Sequence, residues 1–212
     1  MLIQIANWKT FKVIFELDKE DNTIKDTVEE AVRRYISLSC ATFCEQDLHG
    51  ADLRGADLYK AYFYGVDLRG ADLTGANIKE CVFDDARLDN TIMPDFPLAC
   101  PETGSFIAYK KISFTKEYGI SRRFIVKLEI PEDAKRSSST SNKCRCSKAK
   151  VLEIKDIDFG ETVNEVTNTN MVSCVYKVGD YVYPDSFDEC RWNECSAGIH
   201  FFMTEEEALE YC

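Results

Sequence analysis

Residues 41–95 decide the fold, and written in fives they read ATFCE QDLHG ADLRG ADLYK AYFYG VDLRG ADLTG ANIKE CVFDD ARLDN TIMPD. The third residue of each of these eleven units is Phe, Leu, Ile or Met. The first residue is Ala except at Gln46, Val66, Cys81 and Thr91. A short fixed period predicts a solenoid, in which each turn of chain buries its apolar residues against the next turn.

The large side chains indicate four units per turn. Phe43, Phe63 and Phe83 recur every twenty residues, so they would stack in one column. The other third positions then form aliphatic columns: Leu48, Leu68 and Leu88; Leu53, Leu73 and Met93; Leu58 and Ile78. Eleven units make just under three turns, and a solenoid this short requires caps.

This pattern closely resembles the pentapeptide-repeat family. The resemblance implies a short right-handed square β-helix with four pentapeptides per coil. Its third residues would point inward, and its small first residues would line the same narrow interior.

The preceding residues predict a ββα capping unit. LIQIA (2–6) and FKVIFEL (11–17) have the composition of strands. TIKDTVEEAVRRYIS (23–37) predicts a helix with Asn22 or Thr23 as its N-cap. Its apolar stripe consists of Ile24, Val28, Ala31, Val32, Tyr35 and Ile36. Phage-type pentapeptide proteins begin in a similar way, so the resemblance covers residues 1–95.

The fives end at MPDFPLACPETGSF (93–106), where prolines mark a boundary. We therefore expect a mainly β protein with some α-helix, in three parts: a ββα capping unit (1–40), a pentapeptide-repeat β-helix (41–95) and a smaller α+β domain (101–212). A capping box between Thr204 and Glu207 predicts a helix near the end. Strands are predicted at 105–114, 122–130, 148–154, 173–179 and 198–203.

The third part resembles an uncharacterised domain that follows pentapeptide repeats in phage and large-virus proteins. The resemblance rests on stretches such as CPETGSFIAYKK, IVKLEIPEDAKRSS, KCRCSKAKVLEI and ECSAGIHFFMTEEEAL. It implies a phage or prophage origin and brings no established activity.

Composition limits the classes of partner. The net charge of −11 argues against polymeric nucleic acid and against anionic membranes, which both need a positive surface. No stretch has the roughly 18 apolar residues of a membrane span. We expect a cytoplasmic protein, in the host cytoplasm if it is phage-encoded, with no cofactor because no P-loop or dinucleotide fingerprint is present. Its ten cysteines should be free and mostly buried.

The stretch KRSSSTSNKCRCSKAK (135–150) gathers six Lys or Arg and six Ser or Thr without an acid. Three interpretations stand: a phosphate cradle, a solvated flexible loop, or a contact with the protein's own acidic solenoid. The first predicts ligand contacts from Lys135, Arg136, Ser137, Lys143, Arg145 and Lys148, with Tyr109, Trp192 or His200 available to stack on a base.

Two other site types are considered. Cys144, Cys146, Cys190, Cys195 and His200 could join in a metal site, but neither C-x-C nor the five-residue spacings are standard for zinc, so no metal is predicted. The acidic second positions of the repeat invite comparison with DNA mimics that bind DNA-handling enzymes. The same aspartates can instead hydrogen-bond the backbone at each corner.

An enzymatic interpretation rests on AGIHFFMTEEEALEYC (197–212), which resembles a strand-plus-helix of the ADP-ribosyltransferase superfamily. His200 stands where that superfamily has Tyr, while residues 139–141 and 205–207 echo its Arg–Ser–Glu subclass. The acids also fit the first turn of a capped helix.

The leading hypothesis is a non-enzymatic, phage-type binding protein, a host-defence antagonist that captures a small anionic, nucleotide-like ligand through its C-terminal domain. A host protein bound by the acidic solenoid is the second candidate partner. The tyrosines Tyr59, Tyr62 and Tyr64 suggest a homo-oligomer face.

Overall fold

The computed structural model describes residues 1–115, 121–168 and 174–211. The chain divides into two compact units. The first comprises Met1–Pro97 with Trp192–Glu194, and the second comprises Leu98–Arg191 with Cys195–Cys212. No helix among the described residues is long and apolar enough to cross a membrane.

The first unit begins with an antiparallel pair of strands and a helix. Strands β1 (Leu2–Ala6) and β2 (Val13–Asp18) pair directly, and helix α1 (Ile24–Arg33) follows. Of the two predicted N-caps, the structure uses Thr23. Its hydroxyl accepts from the Asp26 N–H at 3.0 Å, and its own N–H donates to the Asp26 carboxylate at 3.0 Å.

The predicted apolar stripe of α1 is correct except at its end. Val28 and Ala31 are fully buried, and Ile24, Val32 and Ile36 pack against the same core. Tyr35 was expected in the stripe but is 95% exposed. The helix has ended by then, and the positive φ of 57° at Tyr35 turns its side chain away.

The repeat is held by backbone hydrogen bonds between successive turns, in which residues twenty apart, such as Thr42 and Tyr62, are bridge partners. The Tyr62 N–H donates to the Ala41 carbonyl at 2.8 Å, and the Phe43 N–H donates to the Tyr62 carbonyl at 2.9 Å. The same parallel pairing joins Asp52 to Asp72 and Asp72 to Ile92. The predicted count of four units per turn is confirmed, while the right-handed square winding stays a prediction.

Third residues fill the interior, as predicted. The rings of Phe43, Phe63 and Phe83 stack at centroid distances of 5.0 and 5.1 Å. Of the aliphatic columns, Leu88 and Met93 in the last turn are only partly buried. The fully buried members are Leu48, Leu53, Leu58, Leu68, Leu73 and Ile78. Each such side chain contributes about 1.5–3 kcal/mol through burial.

Two departures from Ala at the first position have a local explanation. The Cys81 thiol donates to the Leu58 carbonyl at 2.9 Å, and the Thr91 hydroxyl donates to the Leu68 carbonyl at 2.6 Å. Each polar group therefore has an acceptor in the preceding turn, which removes the penalty of burying it unpaired.

The corners of the repeat explain its second and fifth residues. The fifth residue has positive φ, for example 65° at Gly65 and 58° at Lys60, a conformation that favours glycine. The aspartate at the second position accepts from the N–H two residues on, at 3.0 Å from Asp47 to His49 and 2.9 Å from Asp72 to Thr74. These aspartates thus hydrogen-bond the corner backbone, which is the alternative to the DNA-mimic interpretation.

Polar groups of the N-terminal segment meet the open backbone edge of the first turn. The Glu29 carboxylate accepts from the Asp52 N–H at 2.9 Å, and the Lys25 ammonium donates to the His49 carbonyl at 2.9 Å. On another side, the Leu38 N–H donates to the carbonyl of Asp57 at 2.9 Å. These backbone groups have no earlier turn to pair with, so the contacts satisfy them.

The second unit contains nine strands and one helix among its described residues. The strands are β3 (Phe106–Thr115), β4 (Ser121–Ile130), β5 (Arg136–Ser138), β6 (Cys144–Cys146), β7 (Ala149–Asp156), β8 (Glu165–Asn168), β9 (Cys174–Lys177), β10 (Tyr181–Val182) and β11 (Ile199–Phe201), and the helix is α2 (Glu205–Glu210). Antiparallel sheets have the orders β10-β7-β4-β3, β11-β6-β5 and β8-β9.

The described part of this region is mainly β with one helix, and one prediction for it needs correction. Each of the five predicted strands overlaps an observed one, and the Thr204–Glu207 capping box is present. Ser173 and Cys212, at the ends of two predicted elements, lie outside the described residues. One interpretation treated the Ser-rich run as a flexible loop, but Arg136–Ser138 forms β5, which pairs with β6.

The expectation for the cysteines is correct in one respect and wrong in another. The nine cysteines in the described part of the chain are free thiols. Only four of them are buried: Cys81, Cys100, Cys144 and Cys146.

Replacing the middle ring of the stack tests the interior of the repeat. We expect Phe63→Ala to lower the free energy of unfolding of the first unit by about 3–5 kcal/mol, because it leaves a cavity between Phe43 and Phe83. The chain's two tryptophans, Trp8 and Trp192, both belong to this unit, so fluorescence during urea unfolding reports on it.

The matched control is Tyr64→Ala, which removes an exposed ring from the following position. It should change the free energy by less than about 1 kcal/mol. Equal effects of the two substitutions would contradict the stacked interior.

Candidate functional site

The basic stretch 135–150 is part of a folded sheet. Its register places Arg136 opposite Cys146 and Ser137 opposite Arg145. Ser137, Lys143 and Arg145 are all at least 95% buried. The interpretation as a solvated loop is therefore wrong for these residues, because pairing with β5 and β11 places both edges of β6 inside the unit.

Arg136, a predicted ligand contact, has a structural role here. Its guanidinium donates to the carbonyls of Gly104 at 2.9 Å, Pro131 at 2.9 Å and Glu132 at 2.8 Å. It also lies 5.2 Å from the centre of the Phe106 ring. The group joins the segment that enters β3 to the turn that follows β4, and these bonds occupy most of its donors.

Arg145 is used in the same way. Its guanidinium donates to the carbonyls of Asp188 at 3.0 Å, Ala197 at 2.9 Å and Cys190 at 2.8 Å. Gly198 has a φ of 146°, and a Cβ there would lie 3.2 Å from the Cβ of Arg145. Arg145 therefore organises the irregular chain before β11, where the sequence analysis expected it to meet a ligand.

Two other predicted contacts are lysines paired with acids of the same unit. Lys135 pairs with Glu189, and Lys148 pairs with Asp133. Both acids are well exposed, so these ion pairs contribute little to stability and remain available for exchange with other anions.

Lys143 differs from Lys135 and Lys148. Its ammonium is buried, donates to the Tyr211 hydroxyl at 2.9 Å, and lies 3.4 Å from the Cys195 sulfur. It also lies 5.0 Å from the centre of the Tyr211 ring. Burial opposes its charge, but the interactions with Tyr211 and Cys195 together outweigh burial and raise the pKa of Lys143, so the amine is a cation at neutral pH.

His200 stands on β11 directly opposite Arg145. Its Nε2 lies 2.8 Å from the Ser196 carbonyl. Burial is the main cause that lowers the pKa of His200 to about 4, and the charge of Lys143 is the next largest cause. The ring is therefore neutral at pH 7, and it donates to the carbonyl through Nε2–H.

Lys110 on β3 is a basic residue that the sequence analysis missed. Its ammonium donates to the His200 carbonyl at 3.2 Å. Burial lowers the pKa of Lys110 to about 8, and the charge of Lys143 acts in the same direction. The sequence Tyr109-Lys110-Lys111 does not distinguish Lys110 from Lys111. Lys110 reaches the His200 carbonyl because β3 lies beside β11 in the fold.

We call Lys110, Lys143 and His200 the basic cluster. In the described part of the chain, the direct partners of these three groups are carbonyl oxygens, a phenol and a thiol rather than carboxylates. Burial and, in addition, the positive charge of Lys143 lower the pKa of Lys110 and of His200. Such a cluster can accept an anion that brings negative charge and oxygen acceptors together.

Two aromatic residues of the prediction lie in different places. Tyr109 packs with Phe202 and Ala208 in a small cluster beside α2. Trp192 belongs to the first unit, where its ring meets Phe83 edge-on at 6.0 Å. Within the second unit, Tyr211 is the ring that contacts the basic cluster.

The residues considered for a metal site or for a transferase have structural explanations. Across the described ranges, no three His, Cys, Asp or Glu side chains are grouped closely enough to hold a metal ion. Glu205 and Glu206 lie in the first turn of α2, and Glu207 completes its capping box. Ser139 and Thr140, which echo the transferase motif, are buried.

A cavity of about 550 Å³ lies in the first unit, at the start of α1. Gln4, Asn22, Thr23, Thr42 and Gln46 supply polar side chains to its lining. No lysine, arginine or histidine is among its lining residues, and the terminal ammonium of Met1, which also lines it, is paired with Asp18.

The role assigned to Arg145 can be tested by removing its guanidinium. Arg145→Met should lower the free energy of opening around β6 by about 3 kcal/mol, because three carbonyls lose a charged donor. Amide hydrogen exchange of β6 and β11 measures this as exchange that is about 100-fold faster.

Lys135→Met in the same stretch is the control. It removes a cation from an exposed ion pair and should change the same exchange rates by less than about fivefold. Similar rates in the two variants would refute a structural role for Arg145.

In comparisons with known proteins, the repeat and the remainder of the chain match different families. A model of pentapeptide repeats matches residues 36–75 and 60–94, and no curated protein matches the chain. A pentapeptide repeat protein (Rfr23) from the cyanobacterium Cyanothece 51142, solved by crystallography, is 29% identical over 28% of this chain and 44% of that one, with a TM-score of 0.22. The chain thus spans less than half the length of that protein.

The remainder of the chain matches a second model. This model, described as a family of unknown function (DUF5758), matches residues 96–208, which is more than half of the sequence. The protein therefore carries pentapeptide repeats and belongs to the family of unknown function DUF5758.

Proposed function

We propose that this protein is a non-enzymatic binding protein whose C-terminal domain captures a small anionic, nucleotide-like ligand at the basic cluster. The second unit is this domain. The single observation that carries the proposal is that carbonyl, phenol and thiol groups are the direct partners of Lys110 and Lys143 in the described part of the chain, while the charge of Lys143 also reaches Lys110.

Electrostatics supports an anion at this position. Burial and the repulsion from a second amine make the charged state of Lys110 less favourable, as its lowered pKa shows. A phosphate group would reverse the effect by stabilising both cations and accepting their hydrogen bonds. The ligand would thus supply the charge that the domain does not.

The surroundings suit a ligand that also carries a base. Tyr211 is 42% exposed and already contacts the Lys143 ammonium. Its ring offers a surface for stacking beside the phosphate position. The acidic balance of the whole chain would disfavour a long polyanion, while one or two phosphates could still enter.

The same proposal includes a biological role. We propose a phage-type protein that blunts host defence by sequestering a nucleotide-like signal in the host cytoplasm, with the repeat serving as a rigid, self-associating support. This part follows from the resemblance of both units to phage proteins.

Neither a DNA mimic nor a transferase has an observation in its favour. The second-position aspartates already bond their own corners, and Arg54 and Arg69 pair with two of them, so they do not form an unpaired acidic face of the kind a DNA mimic would need. The acids that echo a transferase cap α2.

The direct test is calorimetric titration of the purified chain with phosphate, nucleoside monophosphates, ADP-ribose and cyclic dinucleotides. Lys143→Met should weaken the binding of whichever anion binds by tenfold or more, since a charge-assisted hydrogen bond contributes about 1.5–3 kcal/mol. Lys150→Met, in the same basic stretch, is the matched control and should leave affinity within about threefold.

A second variant separates binding from folding. Lys110→Met should raise the melting temperature, because it removes a buried amine whose charge is unfavourable, and it should still weaken anion binding. The absence of any heat or thermal shift with all four anion classes would refute the proposal. Mass spectrometry of small molecules released from protein purified out of infected cells would identify the natural ligand.

Affinity should also depend on pH in a defined direction. The pKa of Lys110 is about 8 in the free protein, and a bound anion raises it, so the complex holds more protons than the free form. The contribution of Lys110 to the binding free energy is fully present below pH 8 and is lost as the pH rises through the raised pKa of Lys110 in the complex. Titrations at pH 7 and pH 9.5 should show weaker binding at the higher pH, and Lys110→Met should remove most of the difference.

A further inference from the structure

We propose that Cys100 and Cys144 form a redox-active dithiol that closes into a disulfide within the C-terminal domain. This modification site is separate from the basic cluster and does not depend on the proposed function. It would staple the segment that enters β3 onto strand β6.

The backbone brings the two thiols to the same place. Ser138 on β5 lies directly opposite Cys144 on β6, so their side chains share one face of the sheet. The Ala99 N–H donates to the Ser138 hydroxyl at 2.8 Å, which holds the next residue, Cys100, over that face. Cys100 and Cys144 belong to one buried cluster, and each thiol lies close enough to the other to shift its pKa.

Two guanidinium groups act on one member of the pair. Arg136 donates to the Pro101 carbonyl at 3.2 Å, and Arg191 donates to the Ser138 carbonyl at 3.1 Å. The charges of both interact with Cys100, while the carboxylate of Glu102 opposes them. Hydrogen bonding from Cys144 lowers the pKa of Cys100, against the effect of burial, and the charge of Arg136 lowers it further.

The partner thiol is affected in the opposite direction. The hydrogen bond to Cys100, and then burial, raises the pKa of Cys144. Cys100 is also the slightly more accessible thiol, at 5% exposure against none for Cys144. This asymmetry assigns Cys100 as the attacking thiolate and Cys144 as the resolving thiol.

The oxidant is a low-molecular-weight disulfide, such as oxidised glutathione. The Cys100 thiolate attacks one of its sulfurs, forms a mixed disulfide and releases one thiolate, which takes up a proton. Cys144 then loses its proton and attacks the Cys100 sulfur, forming the internal disulfide and releasing the second thiol. Two electrons pass from the cysteine pair to the oxidant, which leaves as two thiols.

The experiment uses the full chain, reduced and then exposed to oxidised glutathione. Trypsin cuts after Arg87, Lys110, Lys143, Arg145 and Lys148, so Cys100 and Cys144 fall on peptides that contain no other cysteine. We expect a disulfide-linked pair of peptides 88–110 and 144–145, lighter by two hydrogens than the sum of the reduced peptides. The oxidised protein should melt about 5–10 °C higher, because the crosslink restricts the unfolded chain.

Variants exclude nonspecific oxidation. Cys100→Ser and Cys144→Ser should each abolish the linked peptides and the thermal shift. The double variant Cys190→Ser/Cys195→Ser removes two exposed cysteines and should retain both. The wild-type peptide map is decisive even if a core variant folds poorly. Absence of the 88–110/144–145 pair, or a different pair as the main product, would overturn the proposal.

Discussion

The backbone hydrogen bonds between successive turns, which pair residues twenty apart as bridge partners, are the constraint on which the first unit depends. They require that every turn repeat the path of the turn before it. One residue in five must then accept a positive φ, as Gly65 and Lys60 do. Third residues must share the interior, where Phe43, Phe63 and Phe83 form one stack. At two first positions a polar side chain larger than alanine donates to a carbonyl of the preceding turn, as the Cys81 thiol does to Leu58.

Hydrogen bonds from arginine side chains to backbone carbonyls organise the second unit. Arg136 and Arg145 direct their guanidinium groups at backbone carbonyls and thereby hold together segments that are far apart in sequence. Two of the six cations of the basic stretch are structural for this reason. Lys135 and Lys148 have exposed acidic partners, whereas Lys143 is buried with Tyr211. Buried charge that is suited to a ligand is therefore concentrated at one lysine of the stretch and at Lys110 on a distant strand.

Sequence reasoning succeeded where a local pattern determines the structure. The five-residue period, the turns of twenty residues, the capping box of α2 and five strands of the second unit all follow from patterns that recur at fixed spacing or lie within a few residues. It was less successful with the short strands β5, β6, β8 and β10, which have two to four residues. Such segments have little propensity of their own and become strands because a neighbour supplies hydrogen bonds.

The sequence alone determined that residues 41–95 wind with four units per turn, since the large aromatic third residues recur at that interval. It also determined that cations and hydroxyls gather at 135–150. Only the tertiary structure decided which of these cations pair with backbone carbonyls and which with carboxylates or a phenol. The sequence does not distinguish the roles of Arg145 and Lys143. Folding places backbone carbonyls next to Arg145 and the Tyr211 phenol next to Lys143, and it brings Lys110 of β3 within reach of the charge of Lys143. Burial and long-range neighbours set the energy of each charge, and neither can be read from adjacent residues.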